Sequence, residues 1–374
     1  MKAWVLNRIG DIALQEVDEP SPGEGEVRIC VKAAGICGSD IPRIYETGAH
    51  KMPLIPGHEF AGVVDAVGEG VSADWIGKRV AVFPKIPCGR CEFCAGGRPD
   101  LCQSYDYVGS RRNGAFAEFV TAPARNLMAL PERVSMEAAA MIEPLAVAAN
   151  AVRTARWEMH ADSAAGVDAA EAVALKRIAV CGMGTIGLMI VLFLQDAGFS
   201  EIYVIGNRED QKEKAAKCGI APDRFCDCRT GDPVEWLKNT AGGVDIYFEC
   251  VGSNDSIRYG LEAGAPGSLQ VLVGNPRSDM AFSRDVYWQI PRNQLRLVGI
   301  WNSVFRQDPR EAGRADEAGA QITDDWHYVL ERLESGTVDP APLISHRFLM
   351  DELDRGFLLM RDKTESYTKV MMVR

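Results

Sequence analysis

The sequence predicts an α/β protein in two parts, one of them built on a doubly wound parallel sheet. Three observations lead there. At 374 residues the chain is longer than one hydrophobic core usually serves, so two domains are expected. The run "ALKRIAVCGMGTIGLMIVLFLQDAGFSEIYVIGNRED" reads as strand, Gly-rich turn, apolar helix and strand. Downstream, "VDIYFECVGS" and "SLQVLVGN" are further buried-strand runs ending in Gly or polar turns, as successive βαβ units require.

The amino-terminal part reads differently. "GEGEVRICVKAAG" and "KRVAVFP" are strand-like, and they flank Gly-rich turns rather than helices. Within those turns stand Cys37, Asp40, His58 and Glu59. A cysteine, a histidine and a carboxylate form a donor set suited to a catalytic zinc that keeps a position for a water or an alcohol oxygen. Glu143 adds a third carboxylate, followed by Pro144 in the apolar helical run "AAAMIEPLAVAANAV". A charge in such a run needs a partner, and a metal would be one.

Between these groups lies "FPKIPCGRCEFCAGGRPDLC" with Cys88, Cys91, Cys94 and Cys102. Two-residue spacings let thiolates converge on one tetrahedral ion, and Gly89, Gly96 and Gly97 let the loop wrap it. The expected occupant is a structural zinc with four protein ligands and no open position. Such a site holds a loop and does no chemistry. An iron–sulfur cluster takes the same ligands, but nothing else in the chain suggests electron transfer.

Further on, Gly182, Gly184 and Gly187 have the spacing G-x-G-x-x-G, with Thr185 and Ile186 opening the helix. The first glycine permits a tight turn, the second lets a pyrophosphate approach the backbone, and the third lets helix and strand pack closely. The context of strand before and helix after is met, so a dinucleotide is expected there. About 20 residues past such a motif an acidic residue normally binds the adenosine ribose. Gly206, Asn207 and Arg208 stand at that place. Without the acid, a 2′-phosphate is not repelled, and Arg208 offers it a charged fork. NADP(H) is therefore expected to be favoured over NAD(H).

Net charge of −11 argues against nucleic-acid binding, and no apolar run approaches a membrane span. The start "MKAWVLNRIGDIAL" has no signal-peptide pattern, so the expected setting is cytoplasmic, with the eleven cysteines as thiols or metal ligands. Cys30, Cys181, Cys218, Cys226, Cys228 and Cys250 read as ordinary thiols. His160, His327 and His346 read as surface or structural groups. Trp288 and Trp301 suit core packing or a place near the cofactor cleft.

Cys37-Gly38-Ser39-Asp40, Gly57-His58-Glu59, the four-cysteine run, Glu143-Pro144-Leu145 and Gly182 to Gly187 together resemble the zinc-dependent medium-chain dehydrogenases over essentially the full length. "EPLAV" resembles the polyol dehydrogenase branch. Within it, "CGSDIPRIYETGAH" and "YDYVGSRRNGAFAEF" resemble the galactitol-1-phosphate 5-dehydrogenase group.

The resemblance implies a β-barrel-like (GroES-like) catalytic domain from residues 1–150 and 299–374, with a structural-zinc lobe at 84–104. It implies a doubly wound Rossmann domain at 151–298. It also implies hydride transfer between a nicotinamide and a secondary alcohol, aided by a catalytic zinc on Cys37, His58 and either Glu59 or Glu143. Ser39 would be the first proton acceptor, and Asp40 would orient His58. Pro42 occupies the place where some relatives carry a relay histidine.

The expected substrate is a polyol or polyol phosphate, with Arg43, Arg111 and Arg112 as phosphate-binding candidates. The alternatives are an unphosphorylated sugar-alcohol (sorbitol-type) dehydrogenase, an L-threonine 3-dehydrogenase, or a non-catalytic NADP-binding protein. A homodimer or homotetramer is expected. Residues 156–176 read as an insertion without an assigned role, and 306–321 as a solvated loop or helix face.

Overall fold

The computed structural model describes residues 1–160, 175–307 and 324–374. Residues 161–174 of the expected insertion and 308–321 of the polar stretch lie outside the described residues, as do the side chains of Trp157, Met159 and His160. Two compact units are present: Met1–Ala146 with Ser303–Arg374, and Val147–Asn302.

The first unit is organised by the strand Glu26–Ile36. Its sequence EVRICVKAAGI alternates inward and outward residues before becoming wholly buried at its end, where the catalytic candidates begin. It pairs antiparallel with Glu59–Val67, and Gly35 stands opposite Glu59. Lys369–Val373 pairs with it antiparallel too, setting Val370 opposite Ile36. A strand from late in the chain thus lies inside the sheet, next to the central strand. Ile344–Leu349, Arg79–Val82 and Leu127–Ala129 extend that sheet, and Phe119–Pro123 also pairs with the central strand. Val27, Ile29, Phe60, Val80, Phe116 and Phe357 fill the core beneath.

A separate two-stranded ribbon, Lys85–Ile86 with Asp106–Tyr107, sits at the two ends of the cysteine loop.

The second unit is a six-stranded parallel sheet. Its order is Phe225–Asp227, Ile202–Gly206, Ile178–Cys181, Val244–Glu249, Gly264–Leu272, Arg296–Gly299. Strands buried on both faces need continuous apolar runs, and IAVC and IYVIG are buried throughout. Ile178–Cys181 is first in sequence yet central in space. The order reverses there, which is where doubly wound sheets bind nucleotides. Cys181 and Cys226 are buried in this unit's core. The core-packing expectation for Trp288 and Trp301 fails: they are 56% and 65% exposed, on and after a short helix at the sheet's edge. Among the described residues no helix is long and apolar enough to cross a membrane.

Candidate active site and metal centres

The end of the central strand turns sharply at Cys37–Asp40, and one carboxylate organises the turn. Asp40, fully buried, accepts from the Cys37 N–H at 3.0 Å through Oδ2 and pairs with Arg43 at 2.5 Å through Oδ1. The same Oδ1 lies 3.5 Å from His58 Nδ1, too long for a formed hydrogen bond, and that buried nitrogen has no partner. The pairing of Glu26–Ile36 with Glu59–Val67 carries His58 and Glu59 to the same end of the sheet.

Cys37 Sγ, a His58 nitrogen and a Glu59 oxygen all lie within 4.8 Å of one another. Ser39 Oγ donates to Cys37 Sγ at 3.3 Å. A compact sulfur, nitrogen and oxygen set is what zinc takes.

Burial opposes charge on His58, but the Asp40 carboxylate and the neighbouring Cys37 sulfur outweigh it and hold the imidazole well above its ordinary value. A metal bound there must displace a proton. Asp40 is itself held below the usual carboxylate range: burial raises it, and His58 and Arg43 overcome that. Burial raises the Glu143 carboxyl to about 7, with Glu59 adding and His58 and Lys369 opposing. Its Oε1 accepts from the Tyr107 hydroxyl at 3.2 Å.

Three contributors escaped the sequence reading. Lys369, 2% exposed, forms an ion pair with Glu59 and donates to the Ile36 carbonyl at 3.1 Å. Gly35 makes room for this pair, since a Cβ there would fall 2.3 Å from Glu59 Oε2 and 2.5 Å from Lys369 Cε. Tyr107 reaches Glu143 and also sets its ring edge-on to His58, 5.8 Å between centroids. Lys369 precedes an apolar strand in "YTKVMMV", and a cation opening a buried strand was the available signal.

Cys88, Cys91, Cys94 and Cys102 likewise converge within 4.8 Å, mostly half-exposed. Backbone N–H groups of Arg90 and Cys91 lower Cys88 to about 6, and burial pushes Cys94 up to about 12. Lys85 is buried beside them, donating to the Asp100 carbonyl.

In the second unit the three glycines have separate physical reasons. Gly182 has φ +102°, and a Cβ there would lie 2.7 Å from Val251 Cγ2. A Cβ at Gly187 would sit 1.9 Å from the Gly182 carbonyl oxygen, so helix Thr185–Asp196 packs on the strand only with glycine there. A Cβ at Gly184 would meet nothing within 4 Å, which leaves open backbone at the helix start. Asn207 N–H donates to Gln211 Oε1 at 2.8 Å. Arg208 precedes the helix Glu209–Lys217, with Nε 3.1 Å from Asp210 Oδ1.

The substrate candidates are not gathered at one pair of partners. Arg43 is bound to Asp40. Arg112 donates to Glu26 at 2.6 Å and lies 3.9 Å from Asp106. Arg111 stacks over the Tyr105 ring at 4.4 Å and donates to the Tyr105 carbonyl at 3.2 Å.

Against known proteins, the alcohol dehydrogenase GroES-like domain matches residues 23–132 and the zinc-binding dehydrogenase domain matches residues 185–315. The chain is 37% identical over 375 residues to the starvation-sensing protein RspB of Escherichia coli strain K12, spanning 100% of this chain and 99% of that one. It is 29% identical over 349 residues to galactitol 1-phosphate 5-dehydrogenase of the same strain, spanning 93% and 92%. The crystal structure of galactitol-1-phosphate dehydrogenase from Escherichia coli matches with a TM-score of 0.84 at 25% identity, over 100% of both chains. The chain belongs to the zinc-containing medium-chain alcohol dehydrogenases, a family of oxidoreductases. Its relatives include polyol enzymes as well as L-threonine 3-dehydrogenases, one of them 31% identical over 359 residues.

Proposed function

We propose that the protein transfers a hydride between a secondary alcohol of a polyol or polyol phosphate and a nicotinamide dinucleotide, with NADP(H) favoured over NAD(H). The observation that carries this is the convergence of Cys37, His58 and Glu59 within 4.8 Å in a chain that also has the open Gly184 cradle. Cys37, His58 and Glu59 would hold one zinc, with Glu143 the second available carboxylate; Cys88, Cys91, Cys94 and Cys102 would hold another. A zinc ion at the first site supplies Lewis acidity, which lowers the pKa of a substrate hydroxyl.

The chain's own residues do the rest. Asp40 holds the Cys37 turn and faces His58. Lys369 balances Glu59 in a buried setting. Ser39 Oγ, standing beside Cys37 Sγ, relays the substrate proton, accepting it as its own hydroxyl proton passes to solvent water. The Gly182–Gly187 turn receives the pyrophosphate, and Arg208 exchanges Asp210 for the 2′-phosphate.

A screen of polyols and polyol phosphates with both cofactors, alongside a metal count, tests the reading. About two zinc ions per chain and turnover of a polyol class support it. One zinc and no turnover favour a binding protein instead. For the cofactor, Arg208→Ala should lower kcat/KM with NADP(H) by roughly 10- to 150-fold and spare NAD(H). Better use of NAD by the unmutated protein overturns that part. Introducing an acid at Gly206 is a poorer test, because its Cβ would lie 2.7 Å from the Phe225 ring.

A second reading, an unphosphorylated polyol, is favoured by one observation: Arg43 and Arg112 already have carboxylate partners.

A further inference from the structure

The four-cysteine loop has two stems. Lys85–Ile86 leads in, Asp106–Tyr107 leads out, and they pair antiparallel with Lys85 opposite Tyr107. Opposed residues share a face of a ribbon, as do residues two apart along an extended strand. Lys85, Tyr105 and Tyr107 accordingly meet. The Lys85 ammonium lies 4.7 Å from the Tyr105 ring centroid, and the Arg111 guanidinium lies 4.4 Å from it. Tyr105 in turn meets Tyr107 edge-on, 6.2 Å between centroids. Arg111 is folded back to this place by its turn, because the Tyr107 carbonyl accepts from the N–H groups of Ser110, Arg111 and Arg112. Beyond Tyr107 lie the two pocket groups it touches: His58 at its ring edge and Glu143 at its hydroxyl.

We propose that Tyr107 is a positioning residue for the Cys37–His58 pocket and that the four-cysteine lobe sets its place, through Tyr105, whose ring both Lys85 and Arg111 contact. The lobe then does more than hold its own loop. Closing four thiolates on one ion fixes both stems, and the outgoing stem delivers Tyr107. Arg111, a phosphate-binding candidate from the sequence, is one of the two cations on that ring. Cation–π contacts are well suited to this work, since the ring face attracts each of the two cations. The inference rests on the zinc reading of the Cys37 pocket.

The test uses the loaded enzyme with cobalt exchanged into the Cys37 site and zinc kept in the lobe, so that visible absorption reports the Cys37–His58 donors. Tyr107→Leu and Tyr105→Leu should each shift those bands and lower kcat roughly 10- to 100-fold, the range for partners that orient metal ligands. Cofactor KM should stay in place. Tyr107→Phe keeps the ring against His58 and loses only the hydroxyl, so it should fall between wild type and Tyr107→Leu. Arg111→Leu should move the bands in the same direction by less, and it decides the matter should Tyr105→Leu not fold.

A purely structural role would lower thermal stability and leave bands and kcat unchanged. If cobalt bands that vanish in Cys37→Ser are present in wild type and unmoved in Tyr105→Leu or Arg111→Leu, this inference falls while the zinc reading stands. If wild type shows no Cys37-dependent bands, both fall.

Discussion

The two cysteine-bearing centres of the first unit are built on opposite plans. The lobe draws Cys88, Cys91, Cys94 and Cys102 from a single loop, all of one chemistry, with three of the four partly exposed. The pocket draws Cys37, His58 and Glu59 from two neighbouring strand ends, adds Lys369 from 310 residues away, and buries nearly all of it. A local site needs only a flexible loop, so spacing suffices to specify it. A site made of mixed, buried groups needs its charges balanced by distant residues, and those can be placed only by the sheet. The lobe is therefore robust and uniform, whereas the pocket is asymmetric and responsive to small shifts.

The largest expected effect lies in exchanging one cysteine at each centre. Cys37→Ser should lower kcat on the order of 1000-fold, the scale of losing a Lewis acid worth several kcal/mol. Its lobe metal should remain, so the metal count falls by about one ion per chain. Cys91→Ser should lower thermal stability and reduce kcat by roughly 10- to 100-fold through the Tyr105–Tyr107 contact. Full activity in Cys37→Ser, or a Cys91→Ser enzyme as inactive as Cys37→Ser, would break the comparison.

Each centre also has a buried lysine, and these sharpen it next. With the protein stripped of metal, Lys369→Met leaves the Glu59 carboxylate buried without its cation, a change that typically costs about 3–5 kcal/mol. Lys85→Met removes a donor to the Asp100 carbonyl, together with a cation near the Cys102, Cys94 and Cys91 thiols. Burial already pulls that ammonium below its ordinary value, and the thiols only partly offset this. Its loss should cost less, about 1–3 kcal/mol. Urea unfolding of the two variants gives the order directly, and equal losses would mean that burial, not the partner's charge, sets the cost.

The same contrast explains what could be read in advance. The convergence of Cys88 to Cys102 follows from spacing, and the separate roles of Gly182, Gly184 and Gly187 follow from the strand–turn–helix context, because all these constraints are local. Cys37, His58 and Glu59 could be named as a donor set from residue type. Lys369 could be marked only as a cation opening an apolar strand, since nothing near "SYTKVMMV" says that this strand lies beside Ile36 and Glu59. Tyr107 was in view in "YDYVGS" without a role, because its partners His58 and Glu143 come from other elements. Trp288 and Trp301 misled for the reverse reason: large apolar side chains suggest a core, but theirs stay exposed near the sheet's edge strand Arg296–Gly299.

The smallest expected effect concerns the arginines, and it bears on the substrate. A phosphate needs guanidinium groups free to turn to it. Arg43 is committed to the buried Asp40, which also holds the Cys37 N–H and faces His58. Arg43→Ala therefore disturbs the pocket itself, and it should lower kcat/KM for a polyol and for its phosphate by the same factor. Arg112 is partly exposed and held by Glu26, with Asp106 nearby. Removing a partly exposed ion pair is worth about 0–1 kcal/mol, so Arg112→Ala should change kcat/KM for either substrate by less than about 5-fold. The informative quantity is the ratio between substrates rather than either value. A phosphorylated polyol that loses roughly 10-fold or more on Arg112→Ala, while the free polyol is unchanged, would mean that Arg112 leaves Glu26 for the phosphate. The substrate would then be the phosphate, despite the pairing seen without ligand. Equal and small changes leave the unphosphorylated polyol as the substrate class, with Asp40 rather than an arginine cluster as the reason Arg43 is there.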